Sequence, residues 1–224
     1  MPKSIDHGKR RDDIALVACK VVAKHGFEQA SVVRIARETG YTAGMIAHYF
    51  DSKQEIIVAA LRLMLRRIEA RLTQREGEPA DLLAVLCEAL PLDPERYMEC
   101  AFWMVFVGQV SADKRLKRIN AWVHREYQRL FKRCLASGWS EWADWSPKLR
   151  DQTLASVVTF INGLTASAVA SRSDWPAPRQ IEQLSLQLAF LRRHALEASA
   201  AAKKPSKKRR EGAQPVVKLM ETMP

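Results

Sequence analysis

The stretch Ser31-Val-Val-Arg-Ile-Ala-Arg-Glu-Thr-Gly40-Tyr-Thr-Ala-Gly-Met-Ile-Ala-His-Tyr-Phe50-Asp-Ser-Lys53 predicts two short helices joined by a tight turn. Ser31 is a good N-cap for the first helix, whose apolar face is Val32, Ile35 and Ala36. Gly40 is expected to end that helix, because glycine adopts the left-handed conformation at little cost. Thr42 can cap the second helix, whose inner face is predicted to be Ile46, Ala47 and Phe50. This arrangement is typical of a helix-turn-helix, whose second helix fits the major groove of DNA.

The second helix carries side chains that suit contacts with DNA. Gly44 and Ala43 leave room for a close approach, and Met45 can contact a thymine methyl group. Hydrogen bonds to base edges are expected from Thr42 and His48, and phosphate contacts from Tyr49 and Lys53. The predicted DNA-binding residues are Ser31, Arg34, Thr42, Ala43, Gly44, Met45, His48, Tyr49 and Lys53.

The motif resembles the DNA-binding domain of the TetR family of bacterial repressors. The residues that carry the resemblance are Ile35-Ala36, Gly40, Thr42, Gly44, His48-Tyr49-Phe50 and Ser52-Lys53. The resemblance implies an all-α, TetR-like fold, with an N-terminal three-helix DNA-binding domain and a C-terminal helical domain for ligand binding and dimerisation. Two positions depart from the pattern. Ala47 stands where the family often has an aromatic residue, and Tyr41 where it usually has a small aliphatic one.

The rest of the chain also has helical periodicity, and about nine helices are predicted. Their expected ranges are 9–25, 31–38, 43–50, 52–75, 80–90, 95–110, 113–137, 147–171 and 178–197. We divide the chain into a helix-turn-helix domain (1–52), a ligand-binding and dimerisation domain (53–197) and a basic, mostly disordered tail (198–224). The last two long helices have wide apolar faces, which the same pair from a second subunit would cover in a four-helix bundle. A homodimer is therefore expected, and packing within one chain is the alternative.

Positive charge is concentrated near both ends of the chain, whose net charge is +11. Residues 1–75 hold 14 Lys and Arg against 8 Asp and Glu, a net charge of +6, and residues 203–210 add six more basic side chains. The long middle is close to neutral. Basic ends around a neutral core suit a polyanionic partner, here a double-stranded DNA operator.

The sequence lacks the patterns expected of an enzyme or a membrane protein. It contains no phosphate-binding glycine loop, no metal-ligand spacing of His and Cys, and no nucleophile elbow, so we expect neither catalysis nor a metal or other cofactor. No run of 18 apolar residues exists, and the first residues lack the apolar segment of a signal peptide. The scattered Cys19, Cys87, Cys100 and Cys134 are expected to be reduced thiols. These features predict a cytoplasmic protein without a membrane span.

Aromatic side chains are dense between residues 97 and 145, and most of them are expected in the core. A second interpretation is that several line a ligand pocket, because aromatic faces attract cations. The predicted ligand-binding residues are Tyr97, Phe102, Trp103, Phe106, Trp122, Tyr127 and Trp145. The segments 101–106, 116–120 and 161–164 resemble the C-terminal domain of BetI-type repressors. That resemblance implies choline or a related quaternary ammonium as the effector.

The combined interpretation is a ligand-responsive repressor that binds a palindromic operator as a dimer. Ligand binding would favour a conformer whose recognition helices no longer match the operator spacing. Three alternatives stay open at this stage: a TetR-type repressor with a different small apolar or cationic effector, a non-regulatory DNA-binding architectural protein, and a helical interaction protein.

Overall fold

A computed structural model describes residues 7–74, 81–111 and 113–203, and these residues form helices and turns without a strand. The α-helices are α1 (His7–His25), α2 (Val32–Thr39), α3 (Ala43–Tyr49), α4 (Lys53–Gln74), α5 (Leu82–Cys87), α6 (Pro94–Val110), α7 (Lys114–Gly138), α8 (Pro147–Ala170) and α9 (Ala177–Lys203). A short 3₁₀ helix, Ser140–Asp144, lies between α7 and α8. The predicted all-α class is confirmed.

The turn between α2 and α3 forms for local reasons. Ser31 Oγ accepts the backbone N–H of Arg34 at 3.2 Å, which caps α2. Gly40 has φ = +72°, and the following N–H, that of Tyr41, donates to the Ala36 carbonyl at 2.9 Å. Thr42 Oγ1 accepts the N–H of Met45 at 3.1 Å and caps α3. Side chains and glycine therefore satisfy the free backbone groups at both helix ends, as the sequence predicts.

The core of the helix-turn-helix extends beyond residue 52. The buried side chains of α1, α2 and α3 pack in one cluster with Ile56, Ile57 and Leu61 of α4 and with Phe102 and Phe106 of α6. α1 lies against both α4 and α6. The DNA-binding helices are thus joined to the rest of the chain by shared packing as well as by the α3–α4 connection.

A second core lies among α5, α7, α8 and α9. Its largest members are Trp139, Trp142 and Trp145, which are only 2–4% exposed. Trp142 lies within the 3₁₀ helix, and the other two flank it. Their ring centroids are 5.5–6.5 Å apart. The tryptophan-rich segment 139–145 is therefore a packed element of this core.

Helix α8 is long and apolar enough to cross a membrane when judged by length and composition alone. Its apolar segment is 44% buried inside the fold, and Leu154, Val157, Val158, Ile161 and Leu164 are members of the second core. We therefore describe α8 as a core helix.

Two local predictions were wrong. Helix α9 runs to Lys203, past the predicted end at 197, because the alanine-rich segment after Glu197 has high helix propensity. Ala47 is exposed instead of lying on the inner face of α3. The predicted boundary between the fourth and fifth helices and most of the basic tail lie outside the described residues.

Candidate nucleic-acid interface and effector cavity

Helix α3 is anchored by one side and presents the other to solvent. Ile46 is fully buried, and Phe50, directly after the helix, is 4% exposed. The exposed side carries Thr42, Ala43, Gly44, Met45 and His48, and Met45 is 46% exposed. Since Thr42 Oγ1 accepts from the backbone, its hydroxyl hydrogen stays available to a DNA acceptor. The predicted base-reading residues thus share one accessible surface.

The first turn of α1 extends this surface. The His7 ring lies 5.9 Å from the His48 ring and 5.5 Å from the Tyr49 ring, measured between centroids. Arg10 donates to the Tyr41 hydroxyl, and its guanidinium lies 5.5 Å from the Tyr41 ring centroid. Tyr41, which departs from the family pattern, therefore holds an exposed cation beside the turn of the motif. The predicted DNA-binding set omitted His7 and Arg10; the basic run at 9–11 was the signal for the arginine.

Arg11, a partly exposed side chain of α1, helps to fix the orientation of the motif. It donates to the Tyr49 carbonyl and, at 2.6 Å, to Glu55 Oε1, and its guanidinium lies 4.1 Å from the Phe50 ring centroid. The hydrogen bond from Arg11 holds the pKa of Glu55 below its ordinary value. One arginine of α1 thereby joins the end of α3 to the first turn of α4.

The remaining predicted DNA contacts have partners inside the domain. Ser31 caps α2, and Arg34 Nη1 donates to Gln29 Oε1 at 2.9 Å. Tyr49 is half-buried against His7 and His48. Lys53 Nζ donates to the Phe27 carbonyl at 2.5 Å and lies 4.5 Å from the Phe27 ring centroid. Lys53 thus holds the α1–α2 loop against the start of α4.

Replacing Lys53 with Met is expected to lower the free energy of unfolding by about 1–2 kcal/mol, because the charged hydrogen bond and the cation–π contact are both lost. For a chain of this size that corresponds to a fall in Tm of about 3–6 °C, measurable by circular dichroism. The exposed Lys20 on α1, changed to Met, removes the same charge and should leave Tm within about 1 °C. Equal Tm values for the two variants would contradict the assigned bond.

A partly open cavity of about 70 Å³ lies among α4, α6, α7 and α8. Its wall includes Leu61, Met64, Leu65, Ile68, Arg71, Glu88, Ala89, Arg96, Glu99, Cys100, Trp103, Val123, His124, Tyr127, Asn162 and Thr165. At roughly 10–15 Å³ for each water-sized group, this volume suits a molecule of about half a dozen non-hydrogen atoms. Five of the lining residues belong to α4, the helix that follows the recognition helix.

Two of the seven predicted ligand-binding residues, Trp103 and Tyr127, line this cavity. Phe102 and Phe106 are fully buried in the core that α6 shares with α1, and they do not line the cavity. Trp145 belongs to the tryptophan cluster of the second core. The other two lie apart from the cavity wall: the Trp122 ring faces the Arg62 guanidinium, and the Tyr97 hydroxyl donates to the Val169 carbonyl.

The charged residues of the wall were not predicted from the sequence. Glu99 is 4% exposed and lies in a strongly apolar helix, which is the signal that could have found it, because buried carboxylates need partners. Its oxygens lie 2.8 Å from Arg67 Nε and 2.8 Å from Arg71 Nη2. Glu88 Oε2 lies 3.0 Å from Arg96 Nη1. The cavity therefore combines an apolar aromatic wall with an ion-pair network on one side.

Two further wall groups stay neutral near pH 7. Part of the Cys100 and Tyr127 surface faces the cavity, but both are otherwise enclosed by protein. Burial raises the pKa of the Cys100 thiol to about 12, with the Glu99 charge adding to it. Burial also raises the pKa of the Tyr127 hydroxyl. Both offer a weakly polar surface to a ligand, and neither supplies a negative charge.

Two family models match the chain. The model for bacterial regulatory proteins of the tetR family matches residues 14–60, and the model for the C-terminal region of BetI-type transcriptional repressors matches residues 78–193. The first match covers the helix-turn-helix and the start of α4. The second covers the elements that enclose the cavity, apart from α4.

Individual relatives agree with these models. The HTH-type transcriptional regulator PksA of Bacillus subtilis is 34% identical over 118 residues, which cover 51% of this chain and 58% of PksA. BetI of Ectopseudomonas mendocina is 30% identical over 148 residues, which cover 60% of this chain and 74% of that protein. The matched region thus spans about three fifths of PksA and about three quarters of this BetI.

A solved structure shares the fold. A transcriptional regulator from Saccharomonospora viridis, determined in complex with choline, superposes with a TM-score of 0.66 at 17% identity, covering 79% of this chain and 94% of its own. The helix-turn-helix with its exposed α3, the cavity-forming helices behind it and both family models lead to one assignment. The chain belongs to the TetR family of bacterial regulatory proteins and carries a C-terminal domain of the BetI type.

Proposed function

We propose that this TetR-family regulator is a cytoplasmic, ligand-responsive repressor that binds a palindromic DNA operator as a homodimer. The observation that carries the proposal is the exposed side of α3, where Thr42, Met45 and His48 stand together while Ile46 anchors the helix. A helix held in this way can enter the major groove and bring side chains to base edges. His7 and Arg10, beside the motif, extend the same surface for phosphate contacts.

The dimer is supported by the apolar surface of α9. Leu186 is 59% exposed and Phe190 is 55% exposed, one helical turn apart, whereas Leu184, Leu188 and Leu191 of the same helix are buried in the chain's own core. Neighbouring α8 exposes Ala155 and Gly163, small residues that permit close helix packing. Two copies related by a two-fold axis would cover both surfaces and place two recognition helices on successive half-sites.

For the effector we propose choline or a related small quaternary ammonium ion. The cavity has the size of such a molecule and offers the aromatic side chains of Trp103 and Tyr127, with Glu88 and Glu99 in the same wall. Aromatic faces and carboxylates both favour cations. The S. viridis protein of the same fold holds choline, and BetI proteins are among the relatives. An architectural DNA-binding protein without an effector would have no use for this cavity.

A gel shift with the DNA upstream of the protein's own gene tests the proposal. We expect the dimer to bind a palindromic site with Kd of about 10⁻⁸ M or tighter, and a change in one half-site to weaken binding by at least about tenfold. Choline chloride at saturating concentration should weaken the complex by about 5–150-fold. Binding that shows no preference for the palindrome would support the architectural alternative and overturn the repressor assignment.

A further inference from the structure

The ion pairs around Glu99 join α4 to α6 at the cavity. Arg67 and Arg71 project from α4, one turn apart, and both contact the Glu99 carboxylate of α6. Arg67 also pairs with Glu95. The Glu99 side chain is 6% exposed, so its charge depends on these two arginines for compensation. The position of α4 relative to α6 is therefore fixed electrostatically as well as by packing.

The two arginines are placed differently with respect to the cavity. Arg71 lines it together with Glu88, Glu99 and Arg96, whereas Arg67 is not part of the wall. Besides its contact with Glu99, Arg71 places its Nε 3.9 Å from Glu88 Oε2, and this buried Nε makes no hydrogen bond to any described residue. Arg71 is thus the α4 residue that a charged ligand in the cavity would meet, and only one of its two ion-pair contacts is tight.

A cation cannot simply be added to this wall. Glu88 and Glu99 each already have an arginine nitrogen within 3.0 Å, so an additional positive charge would be repelled by these arginines without gaining an unpaired carboxylate. A cation that takes the place of the Arg71 guanidinium would instead leave the net charge beside Glu99 unchanged. Arg71 can leave at modest cost, because its side chain is 22% exposed and can extend to solvent. Arg67 would remain on Glu99.

We propose that the cavity binds a small organic cation that displaces Arg71 from Glu99 and Glu88, and that this exchange couples effector binding to α4. Losing the Arg71 contact removes one of the two links between Glu99 and α4. Helix α4 also shares the helix-turn-helix core through Ile56, Ile57 and Leu61. A shift of α4 relative to α6 would therefore change the orientation of α3. The predicted change in operator affinity rests on the proposed function, whereas the predicted change in cation affinity does not.

The exchange makes a prediction that a structural role for Arg71 does not. If Arg71 and the cation compete for the same carboxylates, then Arg71→Met should bind the cation more tightly, by about tenfold or more, because the competitor is gone. The same variant should lose the response, so that its operator affinity changes less than about twofold when the cation is added. An arginine that only supports the fold would instead weaken ligand binding when it is removed.

The experiment uses the full chain, with isothermal titration of choline chloride and of its neutral isostere 3,3-dimethylbutan-1-ol. Arg66→Met is the matched control, since Arg66 also lies on α4 and pairs with Asp12 at 2.6 Å, but on the surface and outside the cavity. Arg66→Met should leave choline affinity within about twofold of the wild type. Arg71→Lys, which keeps a charge but lacks the planar guanidinium of arginine, should raise choline affinity by a smaller factor of about three. If Arg71→Met fails to fold, the comparison of Arg71→Lys with the wild type tests the same competition.

The expected pattern is choline binding that tightens from the wild type to Arg71→Lys to Arg71→Met, with weak binding of the neutral isostere throughout. The inference is overturned if removing Arg71 leaves choline binding unchanged or weaker, or if the isostere binds as well as choline. It is also overturned if neither the wild type nor the Arg71 variants bind choline. A wild type that fails to bind any operator would remove the proposed function, while the titrations would still decide whether a cation competes with Arg71.

Discussion

Changing Gly44 to Leu is expected to abolish specific operator binding while the protein stays folded. Gly44 is exposed near the start of α3, and a Cβ added there would meet only Thr42 Oγ1, at 3.8 Å. Nothing in the chain's own packing requires glycine at this position. Leucine is also favoured over glycine in a helix by roughly 1 kcal/mol, so the fold should be as stable as before or slightly more stable.

The substitution would instead weaken the complex with DNA. An isobutyl group on the exposed side of α3 would stand between the helix and the base edges, and would hold Thr42 and His48 beyond hydrogen-bond distance. Losing two or more base contacts, at about 1–3 kcal/mol each, predicts a loss of specific affinity of at least 100-fold. Gly44→Ala, which adds only a methyl group, should cause a smaller loss.

Fluorescence anisotropy with a labelled operator measures this effect, and thermal unfolding verifies the fold. Gly108→Leu is the matched control, because Gly108 is also an exposed helical glycine with no atom within 4 Å of its virtual Cβ, but it lies on α6. The control should bind the operator within about twofold of the wild type. Wild-type affinity in Gly44→Leu would show that α3 does not closely approach the DNA.

The helix-turn-helix could be predicted from the sequence because its determinants are local. Ser31, Gly40 and Thr42 each act on backbone groups within a few residues, and the structure shows each cap. The error at Ala47 also has a local reason. Helix α3 has only seven residues, too few for the apolar spacing to define its buried face, and Ile46 with the following Phe50 is sufficient to anchor it.

The cavity could not be predicted in the same way, because it depends on how helices rotate relative to one another. Aromatic density favoured α6 and α7 as lining helices, but the pattern cannot tell that Phe102 is buried in the core shared with α1 while Trp103 lines the cavity. The link between Arg71 and Glu99 joins residues 28 positions apart, and no spacing rule relates them. The sequence does place the Glu99 carboxylate in an apolar helix, which indicates a buried ion pair but does not identify the arginine that forms it.

The double change Leu186→Glu and Phe190→Glu is expected to convert the proposed dimer into a folded monomer. Both side chains are more than half exposed in the single chain and contribute little to its core, where Leu184, Leu188 and Leu191 hold α9 from the other side. Burying an apolar side chain of this size stabilises the dimer by about 1.5–3 kcal/mol. In a two-fold symmetric dimer each of the two residues occurs once in each subunit, so four side chains contribute. Four new carboxylates facing one another would add repulsion and desolvation costs.

Light scattering should therefore report half the wild-type mass, and circular dichroism an unchanged helix content. Operator affinity should fall by at least 100-fold, since each recognition helix would bind its half-site without the advantage of a linked partner. Val107→Glu is the control, because Val107 is also an exposed apolar residue, at 38%, but lies on α6. If the double variant stays dimeric, the subunits associate through another surface, and the half-site spacing expected from an α8–α9 bundle loses its basis.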